Sequence, residues 1–250
     1  MRETPFGRVI TDFSFSFDIA TMKTPVIQKS TFKFLKDLTK NNNRDWFEAN
    51  KQTYLTAHQN VCDFVDQLII DMNKHDDIEN ETGKGSLYRI YKDVRFSKDK
   101  TPYNPRFAFS LQRASKLRRG GYYMNIKPGK TFLGCGFFSP NPEDLKRIRQ
   151  DIDANYDQWQ KLLRNKGIKE NFGAIQGEAV TTAPKGFSVD NPAIELLRHK
   201  QFVFRHYFTD EEVMSENFLK EANRMFKSIR PYFDYMSEVL TTNLNGESIL

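Results

Sequence analysis

Arg89, Tyr91, Asp93 and Arg95 alternate in the chain. In an extended segment these four side chains share one face, with neighbours in the row roughly 7 Å apart. A carboxylate between two guanidiniums holds both in fixed rotamers and leaves their outer N–H groups free to fork onto an anion. Ser97, Lys98, Lys100 and Tyr103 follow directly and add hydroxyl and ammonium donors. The chemistry implied is the binding of a phosphorylated or carboxylated small molecule. The alternative is an internal Arg–Asp–Arg–Tyr network that anchors a loop to a sheet.

The charge distribution points the same way. Residues 84–130 hold 13 Lys and Arg against two Asp, a net +11, whereas the whole 250-residue chain carries only +6. Residues 1–83 and 131–250 are both slightly acidic, at −3 and −2. Solvated Lys and Arg on edge strands would account for such a segment without any ligand.

Other chemistry finds little support. Gly83-Lys84-Gly85-Ser86 lacks the first glycine of a phosphate-binding loop and precedes a strand-like run. His58, His75, His199 and His206 show no zinc-ligand spacing, and no Gly-x-Ser-x-Gly elbow occurs. No metal or cofactor is expected, and no catalytic residue can be named. Asp93 and Asp99 sit beside Arg and Lys, which favours ion pairing over proton transfer. Cys62 and Cys135 read as buried thiols, not as a disulfide or a nucleophile.

The elements that must position these groups follow from periodicity. With 38% hydrophobic and 14% aromatic residues and only 13 Gly and 10 Pro, the chain has material for a large core. No apolar run exceeds three residues, which excludes a membrane span, and no secretory signal is visible at the N-terminus, so a cytoplasmic location is expected. Ser30 is placed as the cap of a short helix that ends near Asn41-Asn42-Asn43, and one long amphipathic helix is predicted over 44–72. Residues 73–85 read as a loop.

Period-2 patterning then predicts strands over 86–96, 106–111, 121–127 and 131–138, with a Lys127-Pro128-Gly129-Lys130 turn and a close backbone approach at Gly134-Cys135-Gly136. Helices are predicted over 142–153, 156–165 and 192–200, and a strand over 202–208. A Thr209/Glu212 capping box opens a last helix that Pro231 kinks or splits. The fold class is α+β, one domain with a mainly antiparallel sheet over about 86–138, packed with long amphipathic helices from both chain ends. Residues 1–29 read as an irregular extension, which a start at Met22 would shorten, 30–242 as the domain and 243–250 as a tail.

The run Leu87-Tyr88-Arg89-Ile90-Tyr91-Lys92-Asp93-Val94-Arg95-Phe96-Ser97-Lys98-Asp99-Lys100-Thr101-Pro102-Tyr103 resembles the signature of an uncharacterised bacterial family, domain of unknown function 2461. Asn42-Asn43-Arg44-Asp45-Trp46-Phe47, Gly121-Tyr122-Tyr123, Phe132-Leu133-Gly134-Cys135-Gly136, Ala183-Pro184-Lys185-Gly186-Phe187 and Asn191-Pro192-Ala193-Ile194-Glu195-Leu196-Leu197 are similar to it as well. The resemblance covers about 31–240 and implies a single domain but no established activity. Because the shared motifs are rich in Arg, Lys, Asp, Trp and Tyr, they suggest a composite site. Arg44, Trp46, Tyr122 and Lys185 would join the 89–104 segment there, provided the motifs converge in space.

Two further readings stand beside the anion site. The basic sheet could bind single-stranded nucleic acid, with Tyr88, Phe107, Tyr122 or Tyr123 stacking on bases and Arg113, Lys116, Arg118 and Arg119 on phosphates. Alternatively, the motif only braces a structural or partner-binding domain. A small-molecule site predicts a concave cluster, and nucleic-acid binding predicts an open surface.

Overall fold

In the computed structural model, residues 24–243 and 246–249 are described. The suspected start at Met22 and most of the N-terminal extension lie outside them. The chain runs α1 (Lys29–Lys40), α2 (Arg44–Ala49), α3 (Lys51–Met72), α4 (Gly83–Ser86), β1 (Phe107–Gln112), β2 (Gly121–Ile126), β3 (Thr131–Phe137), α5 (Pro142–Ala154), α6 (Tyr156–Leu163) and α7 (Lys166–Phe172). It ends with α8 (Ile194–Leu197), β4 (Phe202–Phe208), α9 (Asp210–Val213), α10 (Phe218–Ser228) and α11 (Arg230–Thr241). The fold is α+β, as its sequence predicts.

The sheet is fully antiparallel in the order β1-β2-β3-β4. The three predicted strands from 106 to 138 form a meander, and the 202–208 strand joins its edge beside β3. Lys127-Pro128-Gly129-Lys130 makes the predicted turn, with Gly129 at φ 70° and the Lys130 amide donating to the Lys127 carbonyl at 2.9 Å. At Gly136, φ is 133° and an added Cβ would lie 2.3 Å from the Phe202 carbonyl oxygen, so the predicted close approach is real and only glycine fits.

One face of the sheet carries the core. Phe107, Phe109, Leu111, Tyr122, Met124, Ile126, Leu133, Cys135, Phe202 and Phe204 are all buried together with the apolar stripes of α1, α3, α10 and α11. Both thiols are free and buried.

Several boundaries differ from the sequence reading, each for a physical reason. Ser30 lies inside α1, whose N-cap is Gln28. The predicted 44–72 helix breaks at Asn50, whose side-chain amide donates to the Trp46 carbonyl at 2.8 Å and competes with the helical ladder. The short α4 takes the end of the predicted 73–85 loop, its start fixed by Thr82, which accepts from the Gly85 amide. Helix α7 lies between the predicted 156–165 and 192–200 helices, where no element is predicted, and the 192–200 helix shrinks to α8. The Thr209/Glu212 capping box forms, but on the four-residue α9, and Pro231 at the start of α11 splits the final helix as expected.

Candidate functional site

The predicted strand at 86–96 does not form. Residues 87–104 make a loose extended hairpin held by single bridges, Leu87 to Phe109 and Tyr91 to Tyr103. Backbone bonds from Tyr88 to Ala108, Lys92 to Pro102 and Asn104 to Ile90 complete it. Internal charge pairs bend the outer part away from a ladder. Arg95 grips Asp93 through both Nε and Nη2, at 3.1 and 2.7 Å, and Lys92 meets Asp99 at 2.5 Å. Lys100 donates to the Val94 carbonyl at 3.0 Å. The Arg89-Tyr91-Asp93-Arg95 row is therefore a single local Asp93–Arg95 pair, with Arg89 acting on Asp93 only through its field. On the opposite face of this segment Ile90 is buried, but Phe96 is 97% exposed at the tip.

These pairs settle the protonation of the hairpin. Hydrogen bonds from Arg95, followed by the Arg89 field, hold the Asp93 carboxyl below its usual range, and Lys92 with Thr101 does the same to Asp99. Both remain ionised partners and cannot serve as bases near neutral pH.

Part of the composite site converges. The Asn42 side chain clamps the Tyr103 backbone in both directions, donating to its carbonyl at 2.9 Å and accepting from its amide at 3.1 Å. Phe47 of α2 stacks on Tyr103 at 4.1 Å, and Tyr91 leans on both rings. Arg44 lies near enough for its charge to act on the Tyr103 phenol, which burial raises. Trp46 faces the other way and stacks on Phe34 at 6.1 Å. Among the described residues, Arg44, Arg89 and Lys98 have no ion pair, and Ser97 and Lys98 lie in the outer loop of the hairpin.

Two predicted members are elsewhere. Tyr122 is buried on the core face and donates to Asp76 at 2.6 Å. Its ring packs edge-on against Phe226 of α10 and Phe233 of α11, so it cannot reach a surface ligand. Lys185 is exposed in a turn of the segment that bridges to β4 through Gln176 and Val203, at the sheet edge opposite to the hairpin on β1.

Three of the four cations assigned to phosphates are committed, and the exposed Lys116 has no ion pair among the described residues. Arg113 is buried, with Nε on Asp76 at 2.9 Å and Nη2 on Asp234 at 3.0 Å. Arg118 pairs with Asp77 and Arg119 with Asp144. Phe107 is in the core. Arg230 adds a second guanidinium to Asp76 at 3.1 Å, so this carboxylate is the centre of a structural knot.

Sequence reasoning named Tyr88 and Tyr123 as stacking rings but missed the rest of the outer face of the sheet. Residues alternate with the core set, so Tyr123, Phe132, Arg205 and Tyr207 point away from the helices. Tyr88 lies over the same face, its hydroxyl donating to Ser110 at 3.1 Å. The rings form a continuous row across the strands: Tyr88 to Tyr123 at 6.3 Å, Tyr123 to Phe132 at 5.6 Å and Phe132 to Tyr207 at 5.6 Å. Tyr88 is 54% and Tyr207 62% exposed, and the two central rings are half-buried.

Two guanidiniums frame the row. Arg106 donates to the Tyr123 hydroxyl and to Asn125, both at 3.0 Å, and Arg205 lies over the Phe132 ring at 6.0 Å. Burial raises the Tyr123 phenol against the opposing effect of Arg106, so it stays neutral. No Asp or Glu occurs among the outward-facing residues of the four strands. The signal available in the sequence was the same alternation that located the core, read for the other face.

A thiol–imidazole pair on α3 has a different character. Cys62 lies 3.4 Å from His58 Nδ1, but burial, with the Asp66 and Asp63 charges, pushes its thiol up to about 11. A neutral buried thiol is no nucleophile. Among the described residues no group of His, Cys, Asp and Glu is arranged to hold a metal, and no helix is long and apolar enough to cross a membrane.

Comparison with curated proteins and with solved structures found no match. The model of a family of conserved hypothetical proteins, DUF2461, matches residues 30–235, a span that contains the aromatic face, the hairpin and α2, and the chain belongs to that family.

Proposed function

We propose that the protein binds single-stranded nucleic acid across the outer face of its sheet. The observation that carries this reading is the row Tyr88–Tyr123–Phe132–Tyr207, four rings spanning the sheet on a face without carboxylates and flanked by Arg106 and Arg205. Bases stack on such rings whatever their sequence, and guanidiniums and the hairpin ammonium groups meet the phosphates. The cations of residues 84–130 that have no carboxylate partner among the described residues, including Lys84, Arg89, Lys98, Arg106 and Lys116, supply the long-range attraction.

A small phosphorylated or carboxylated ligand held by the hairpin alone is the second reading. It is favoured by Arg44, Arg89 and Lys98, which have no ion pair among the described residues, and by the Tyr91–Tyr103 ring contact beside them. Its weakness is shape, because the Asp93–Arg95 pair and Phe96 project into solvent without a concavity.

Fluorescence anisotropy with a labelled oligonucleotide of about 12 nucleotides, within the usual footprint of such surfaces, tests the first reading. Tyr207→Ala is expected to weaken binding by about 1–3 kcal/mol, roughly 5- to 150-fold. Absence of binding at low salt, or unchanged affinity in Tyr207→Ala, rejects it. A salt-tolerant response to a single phosphate ester that disappears in Arg89→Ala would establish the second.

A further inference from the structure

The row of rings has a branch. Phe138, directly after β3, meets Tyr123 edge-on at 6.1 Å and is also a wall of a cavity of about 340 Å³. Pro140 and Leu145 add apolar walls, and Arg149, Glu178 and Lys200 are polar ones. A volume at the small end of ligand pockets has room for one base.

The polar groups differ in what they can offer. Arg149 is committed to the structure, donating to the Leu197 carbonyl at 2.8 Å and to the His199 carbonyl at 3.2 Å, which fixes the turn behind the cavity. Glu178 and Lys200 remain at the mouth, 4.0 Å apart and both largely solvated. Their backbones are tied together, with the Lys200 amide donating to the Glu178 carbonyl at 2.8 Å, so acceptor and donor are held side by side. A carboxylate here repels phosphate but accepts two N–H bonds from one base edge. Guanine presents that edge, with N1–H and N2–H donors beside the O6 acceptor that an ammonium reaches. Cytosine and adenine each offer a single amino donor, and thymine one imide N–H.

We propose that this cavity receives one guanine base of the bound strand, turned out of the stacked row past Phe138, with Glu178 accepting from N1–H and N2–H and Lys200 donating to O6. The inference rests on the reading of the outer face as a single-strand platform.

The test uses the full chain and two labelled strands of equal length, all-thymine and thymine with one central guanine. The guanine strand is expected to bind about ten-fold more tightly, as a bidentate base contact provides. Glu178→Gln, which turns one acceptor into a donor, is expected to bring the two strands to equal affinity. Tyr207→Ala is expected to weaken both strands while keeping their ratio, which also reports a folded protein. Equal affinities in the wild type overturn the guanine pocket and leave the platform standing. Binding of neither strand overturns both readings. Guanosine monophosphate saturating the protein while neither strand binds also overturns the strand-borne base, assigning the cavity to a free nucleotide.

Discussion

Tyr122 and Tyr123 are consecutive in β2 and serve opposite sides of the molecule. The Tyr122 hydroxyl donates to Asp76 at 2.6 Å inside the core, and the Tyr123 ring lies outside between Tyr88 and Phe132. Burial and the Asp76 carboxylate both raise the Tyr122 phenol, which makes it a permanent donor in a structural network. Its neighbour is free to present a π-face. The pleat of a strand alone creates this division, and the helices decide which side is closed.

The Asp76 knot predicts a large stability loss away from any ligand. Arg113→Ala leaves the fully buried Asp76 carboxylate without its closest guanidinium and is expected to cost about 3–5 kcal/mol in urea unfolding. Arg95→Ala, which breaks an exposed pair, is expected to leave the unfolding midpoint unchanged. If Arg95→Ala is the more damaging of the two, the hairpin pair has been misjudged as local.

Stability should fall in mild acid. Burial, aided by the Lys84 charge, lowers the His58 pKa, so the folded chain prefers neutral imidazole. Burial lowers His199 likewise, against the raising effect of Glu195. A depressed folded pKa means that the unfolded chain binds the extra proton. The stabilisation is therefore complete above the unfolded value near 6.5 and is lost as pH falls through the folded pKa. Thermal unfolding at pH 7.5 and 5.5 should show the drop, and His58→Gln should reduce it. An identical pH response in that variant would exclude His58 as a contributor.

Both thiols should resist labelling. Cys62 is 2% and Cys135 0% exposed, and burial raises the two pKa values, Cys62 to about 11. A thiol reagent at pH 8 is expected to modify the protein only at its unfolding rate. A fast phase under native conditions would show that α3, around Cys62, or β3, around Cys135, opens locally.

Salt dependence separates the outer-face cations from the buried ones. Arg205→Gln should lower the slope of log affinity against log salt for a single strand by about 0.7. It should leave the unfolding midpoint nearly unchanged, because Arg205 has a ring and no carboxylate beneath it. An unchanged slope would remove Arg205 from the phosphate path.

The sequence by itself determined what local rules control: strands β1 to β4, the 127–130 turn, the need for glycine at 136, the capping box at Thr209 and the break before Pro231. Apart from the approach of the Phe202 carbonyl to Gly136, each depends on backbone conformation or on neighbours within a few residues. It also determined that residues 84–130 are basic and that the chain carries its family's motifs. Only the tertiary structure decided how that charge is used. Arg113 is neutralised by Asp76, 37 residues away, whereas Arg106 finds only a tyrosine and an asparagine. Asn50 broke the long helix and Asp93 curled onto Arg95, two local competitions that hydrophobic periodicity does not register. Period 2 sorted Tyr122 from Tyr123 but could not say which face the helices would cover. That depends on where the stripes of α3, α10 and α11 meet the sheet, and it left the rings of Tyr88, Tyr123, Phe132 and Tyr207 on the outside.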